Sequence, residues 1–66
     1  MNVTVNGESR TLDEGSTLAD LLDTEIGSRR GTAAAVDGEV VPRGDWASFS
    51  LADGQSVELL TAVQGG

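Results

Sequence analysis

The sequence predicts an α+β fold in which one main helix packs across a mixed sheet of four to five strands. Three observations predict it. Alternating apolar residues open the chain and recur near its end, one segment between them switches to helical spacing, and Asn-Gly and Asp-Gly pairs punctuate the extended stretches. Strands grouped around a single crossover helix, without regular strand–helix alternation, are the pattern of α+β domains.

In residues 1–5, Met1, Val3 and Val5 fall on one face and Asn2 and Thr4 on the other, and Asn6-Gly7 follows. That is a strand running into the strongest short hairpin signal, with residues 8–12 as the return strand. The period then changes: Leu18, Leu21, Leu22 and Ile26 share one face of a helix. Ser16 or Thr17 caps its start, Asp20 lies in its first turn and Gly27 is placed to end it. Residues 33–36 read as a short strand, Asp37-Gly38 as a tight turn, and residues 39–41 as a second short strand that stops at Pro42, which has no N–H to donate. Residues 43–55 read as loop with a single helical turn and a tight turn at Asp53-Gly54. The last strand, residues 56–63, puts Val57, Leu59, Thr61 and Val63 on one face and Glu58, Leu60 and Ala62 on the other. The simplest compact solution for this order is the ubiquitin-like β-grasp, in which the first and last strands are parallel neighbours at the centre of the sheet. Residues 1–63 then form the domain and residues 64–66 a flexible diglycine tail.

Composition narrows the function. At 66 residues the chain has no room for a deep cleft, and it contains no Cys and no His. A disulfide framework, a structural zinc site, a thiol nucleophile and an imidazole base are therefore excluded, which removes most enzyme classes. Eleven acidic residues face four arginines and no lysine, for a net charge of −7. Nucleic acid and anionic membrane need a positive surface, so neither is an expected partner. A basic protein partner fits the charge, and so does a charge that only keeps a small protein soluble. No apolar run approaches the roughly 20 residues of a membrane span, and the N-terminus lacks the pattern of a secretion signal. The expectation is a cytoplasmic protein that works as a monomer.

The chain ends "TAVQGG". Two terminal glycines alone are a weak signal, since chain ends fray. Here they follow an apolar strand held by the core, and Gln64-Gly65-Gly66 extends at most about 10 Å beyond it. A bare backbone of this kind enters a narrow channel that any Cβ would obstruct. The terminal carboxylate, with a reference pKa near about 3.5, is ionised and a poor electrophile until it is activated. Transfer to AMP creates a leaving group, and attack by a sulfur donor then leaves a thiocarboxylate.

"AAAVDGEVVPRGDW" and the closing "DGQSVELLTAVQGG", with the opening "VNG" and the helical "TLADLL", resemble the ThiS family of thiamine-biosynthesis sulfur carriers over essentially the whole chain. The diglycine end is common to ubiquitin-like carriers; "VVPRGDW" is the more specific part. Asp37 departs from the Asn more often found at this turn, and both residues suit a turn. The resemblance implies a carrier that is itself a substrate, with no catalytic residues, bound cofactor or metal of its own. An E1-like adenylyltransferase of the ThiF type uses ATP to adenylate Gly66, and a relay fed by a cysteine desulfurase or other sulfur protein supplies the sulfur. Thiazole synthase of the ThiG type then takes it. Gly66 carries the modification, while Gly65 and Gln64 give access to it.

Other marked residues admit two readings each. Trp46 either fills the core edge with its N–H bonded or docks a partner, and Arg43 either makes local contacts or touches an enzyme. Leu60 and Ala62 are a docking patch if their face is open and core if a loop covers it. "GSRRG" lacks Walker spacing and reads as a solvated loop. Asp13, Glu14, Asp20, Asp23 and Glu25 lack EF-hand spacing and read as a charged helix region. The alternatives to a thiamine-pathway carrier are a carrier of another pathway (the small subunit of molybdopterin synthase or a cysteine-synthesis type), a ubiquitin-like modifier, and a binding module with an inert tail. Without lysine, a modifier of this sequence builds no lysine-linked chains on itself.

Overall fold

The computed structural model describes residues 1–25 and 31–60 and the backbone of Thr61. Its elements are β1 (Asn2–Val5), β2 (Glu8–Thr11), α1 (Leu18–Glu25), β3 (Thr32–Val36), β4 (Glu39–Val41), a 3-10 helix (Arg43–Ser48) and β5 (Ser56–Thr61). The strands form one sheet in the order β2-β1-β5-β3-β4, in which β1 and β5 run parallel and the other pairs antiparallel. A parallel pair needs a long connection, which α1 and the β3–β4 hairpin supply. Ile26, Gly27, the two arginines of "GSRRG", Ala62, Val63 and the Gln64-Gly65-Gly66 end lie outside the described residues.

The two hairpin turns form as their sequences predict. Asn6 and Gly7 have φ of 50° and 85°, and Asp37 and Gly38 have 51° and 86°. Two successive positive φ values give the turn whose twist matches that of paired strands. At the start of α1, the Asp20 N–H donates to Thr17 Oγ1 at 3.2 Å and the Thr17 N–H donates to the Asp20 carboxylate at 3.0 Å. Thr17 is therefore the cap, in a reciprocal box. Ser16 turns away and donates to the Asp13 carbonyl at 2.7 Å. Thr17→Ala is expected to cost about 1 kcal/mol, a fall of about 4–8 °C in thermal midpoint by circular dichroism, and Ser16→Ala clearly less.

The apolar faces meet in one core: Val3 and Val5 of β1, Val57 and Leu59 of β5, Ala34 and Val36 of β3, Val41, the α1 residues Leu18, Ala19, Leu21 and Leu22, and Trp46 and Leu51. Met1, Leu12 and Phe49 pack on its margin. On the β2 side, Arg10 donates to Glu25 at 3.1 Å and to Glu8 at 3.0 Å, tying the edge strand to the end of α1. Hydrogen bonding to Glu25, then to Glu8, raises the Arg10 pKa above its ordinary value. A raised pKa stabilises the fold at every pH below the unfolded value and is lost only as pH rises through the folded one, so this tie holds over the whole working range.

The segment after Pro42 is more regular than its sequence suggests. It is a six-residue 3-10 helix, not loop with a single turn. Its first turn closes through the Asp45 N–H and the Pro42 carbonyl at 2.9 Å, and the Phe49 N–H reaches Trp46 O at 3.4 Å. Its two apolar residues, Trp46 and Ala47, are adjacent and set no periodicity, so the local pattern gives no sign of it. Burial of Trp46 holds the segment in place. Among the described residues no helix is long and apolar enough to cross a membrane.

Candidate functional site

The strand that leads toward the C-terminus lies between β1 and β3, and its position is set by an asparagine. Past the short parallel ladder of β1 and β5, the Asn6 N–H donates to the Val57 carbonyl at 2.9 Å. The Asn6 side chain continues the ladder: its Oδ1 accepts from the Leu59 N–H at 2.9 Å and its Nδ2 donates to the Leu59 carbonyl at 3.3 Å. Asn6 thus shapes the hairpin and holds β5 one residue before Leu60. Only the first role was visible as a sequence signal. Asn6→Ala is expected to destabilise by about 2 kcal/mol, through two lost hydrogen bonds and a Cβ-bearing residue at positive φ without its polar compensation. Chemical denaturation and faster hydrogen exchange at the Leu59 amide check it.

Asp37 plays a matching part at the other end of β5. Its Oδ1 accepts from the Ser56 N–H at 3.0 Å, its Oδ2 accepts from the Gln55 side chain at 3.4 Å, and its own N–H donates to the Ser56 carbonyl at 2.8 Å. An aspartate oxygen and an asparagine oxygen serve the Ser56 contact equally, which is why the change of residue at this turn leaves the geometry intact.

Alternation along β5 buries Val57 and Leu59 beneath the helix and turns Glu58 and Leu60 to the opposite face. There Leu60 lies opposite Ala33, and Ala35 lies opposite both Glu58 and Val40. Leu60 is 72% exposed and Val40 75% exposed. The short alanine side chains leave a shallow depression between these two, bounded by Asn6 and Glu58. Leu60 therefore meets the condition for a docking residue, an apolar side chain on an open face. Val40 was missed by the sequence reading. Its signal was present: in the three-residue strand before Pro42, Val41 turns inward to the core, so Val40 must turn outward. Ala62 lies outside the described residues.

The other two candidates sit elsewhere. Trp46 is 1% exposed and donates its indole N–H to the Val41 carbonyl at 2.8 Å. It is a core residue and offers no surface for docking, because in this small domain it is among the largest fully buried side chains. Arg43 is exposed and places its guanidinium 5.9 Å from the centre of the Trp46 ring, a cation–π contact that covers the indole. The acidic residues around α1 have local work: Glu14 meets the N-terminal ammonium at 3.4 Å, Glu25 meets Arg10, and Asp20 caps the helix.

A helix over a five-stranded mixed sheet, with its first and last strands parallel at the centre, is the ubiquitin-like β-grasp. The sequence model of the ThiS family matches residues 3–66. Over all 66 residues, and the whole of its relative, the chain is 29% identical to "Sulfur carrier protein ThiS" of Escherichia coli (strain K12). The crystal structure of the thiamine biosynthesis protein ThiS from Geobacter metallireducens superposes with a TM-score of 0.82 at 32% identity, covering the whole of both chains. The solution structure of a thiamine biosynthesis protein from the same organism gives 0.80 at 32% identity, covering the whole of this chain and 88% of that one. The chain belongs to the ThiS family.

Proposed function

We propose that this protein is the sulfur carrier of thiamine biosynthesis and that Gly66 is the residue that carries the sulfur. The reading rests above all on the end-to-end similarity to the Escherichia coli sulfur carrier protein, in a chain whose own last residues are Gly65 and Gly66. A carboxylate oxygen of Gly66 attacks the α-phosphorus of ATP on an E1-like adenylyltransferase of the ThiF type, and pyrophosphate leaves. The outer sulfur of a persulfide on a donor protein, loaded by a cysteine desulfurase or another relay protein, attacks the acyl carbon and displaces AMP, and a thiol then attacks the donor-side sulfur of the acyl disulfide, forming a disulfide with the donor and releasing the Gly66 thiocarboxylate. The resulting thiocarboxylate delivers its sulfur to a thiazole synthase of the ThiG type. The carrier contributes a terminus that reaches into each enzyme and a surface that each recognises; it supplies no base, cofactor or metal.

The arrangement of β5 supports this division of labour. The strand is held by pairing on both sides and by Asn6. Its exposed Leu60 lies six residues before the terminus, a span of at most about 20 Å. A partner seated over Leu60 and Val40 therefore has the terminus within reach. Gln64 and Gly65 belong to that span, where the absence of a Cβ at Gly65 permits close approach.

Intact-protein mass spectrometry after incubation with a ThiF-type enzyme, ATP, cysteine and a cysteine desulfurase tests the proposal. The expected result is a gain equal to sulfur replacing one oxygen, located at Gly66. Thiazole formation with a ThiG-type synthase then assigns the pathway. Mass added to other proteins instead points to a modifier, and an unchanged chain overturns the proposal.

A further inference from the structure

The Asn6-Gly7 turn carries a chemistry of its own. Asparagine is chemically labile, and most so before glycine, where no Cβ shields the backbone nitrogen that attacks the side-chain amide. Both residues are exposed, and a Cβ added at Gly7 would meet nothing within 4 Å, so water has free access to the turn. Asp37-Gly38 and Asp53-Gly54 are the other pairs of this kind, but an ionised carboxylate is a far poorer electrophile than an amide.

The fold holds the reaction back. Both polar atoms of the Asn6 amide are committed to Leu59, Oδ1 accepting from its N–H at 2.9 Å and Nδ2 donating to its carbonyl at 3.3 Å. The positive φ of Asn6 and Gly7 is held by the pairing of Val5 with Glu8 that closes the turn. For the Gly7 nitrogen to bond to Cγ, the amide must leave Leu59 and swing back over its own backbone.

From this geometry we propose that Asn6 is a deamidation site guarded by its clamp on Leu59, and that its conversion retires the chain as a carrier. The Gly7 nitrogen bonds to Cγ, the Cγ–Nδ2 bond breaks, and ammonia leaves with the proton of the Gly7 N–H, closing a succinimide. Water then adds to one of the two ring carbonyl carbons and the adjoining C–N bond opens, giving aspartate or isoaspartate. The net reaction consumes one water and releases one ammonia, with no change of oxidation state. Aspartate still accepts from the Leu59 N–H, but it sets a second anionic oxygen against the Leu59 carbonyl where Nδ2 had donated. Isoaspartate adds a methylene to the backbone and breaks the register of Val5 with Glu8. Either product loosens β5 just before Leu60 and adds a negative charge to a chain of net −7. The retirement rests on the sulfur-carrier reading; the deamidation does not.

The test holds the full chain at mildly alkaline pH, folded in buffer and unfolded in urea. Mass spectrometry of the intact chain and of the peptide containing Asn6 follows the replacement of NH by O. Asn6 is expected to convert at least about tenfold faster in the unfolded chain. In urea too dilute to unfold the protein, conversion and hydrogen exchange at the Leu59 amide should rise in parallel, since one opening exposes both. Asn6→Asp is then compared with the wild type by pyrophosphate release on a ThiF-type enzyme below saturation. Its adenylation should be about tenfold slower, with faster exchange at Leu59 and the circular dichroism of a folded chain. Should Asn6→Asp fail to fold, Asn6→Gly keeps the positive φ without the clamp, and a fall of about threefold is expected. Equal conversion in the folded and unfolded chains, or Leu59 exchange that rises while conversion does not, overturns the guarded site. Wild-type adenylation by the folded variant, while the wild type forms thiocarboxylate normally, overturns the retirement and leaves the carrier reading standing. If the wild type forms no thiocarboxylate, the retirement and the carrier reading fall together.

Discussion

A chain lacking Gly65 and Gly66 is expected to fold like the full protein and to form no thiocarboxylate. The core among the described residues is supplied by Val57, Leu59 and their neighbours across the sheet and helix. The thermal midpoint should therefore stay within the range of a neutral surface change, equivalent to about 0.5 kcal/mol. Activity has no such tolerance. In the proposed reaction the carboxylate oxygen that takes up AMP belongs to Gly66, and after truncation the new terminal carboxylate is held back by up to about 7 Å from the reacting phosphorus. Gly66→Ala separates reach from access. It keeps the length, adds one Cβ, and should slow adenylation about 10- to 100-fold without altering the fold, as small misplacements at a reacting centre do. Pyrophosphate release by the activating enzyme measures the first step, and mass spectrometry measures the product. Wild-type turnover by the truncated chain would refute the assignment of Gly66.

Trp46→Ala carries the largest expected effect on stability. A chain of 66 residues at about 0.05–0.15 kcal/mol per residue has a stability of only about 3–10 kcal/mol. Replacing a fully buried tryptophan by alanine costs about 3–5 kcal/mol, so the variant should be partly or wholly unfolded at 25 °C. Three losses combine: the indole's packing against the core, its hydrogen bond to the Val41 carbonyl at 2.8 Å, and the reason for residues 43–48 to coil as they do. Trp46→Phe keeps the aromatic packing and removes the indole hydrogen bond to the Val41 carbonyl, for a smaller loss of about 1–3 kcal/mol. Arg43→Ala removes the exposed cation–π contact, worth about 0.5–1 kcal/mol. Urea unfolding followed by circular dichroism ranks the three. If Trp46→Ala unfolded at the wild-type midpoint, the indole would not be a core residue.

Most of the fold was legible because its signals are local. Val3 and Val5 alternate, Leu18, Leu21 and Leu22 recur with helical spacing, and Asn6-Gly7 and Asp37-Gly38 demand positive φ, so strands, helix and turns each announce themselves within a few residues. The 3-10 helix was not legible, since its single buried residue, Trp46, joins a core supplied largely by distant parts of the chain. The docking candidates divide the same way. Leu60 was found by alternation along its own strand. Trp46 and Arg43 stood out by residue type alone, and type does not distinguish an indole that packs inward from one that faces a partner.

By itself, then, the sequence determined the order of elements, the faces that turn inward, the acidic charge, the absence of Cys and His, and a terminus ending in Gly65 and Gly66. Each of these is a property of nearby residues or of composition. Only the tertiary structure decided that Asn6 holds Leu59, that Trp46 is core, and that Val40 and Leu60 flank two alanines on an open face bordered by Asn6 and Glu58. These depend on strand register and on which sheet face the helix covers. Both are settled when β1 and β5, the two ends of the chain, pair side by side, because pairing and burial between distant segments carry no local periodicity from which they could be read.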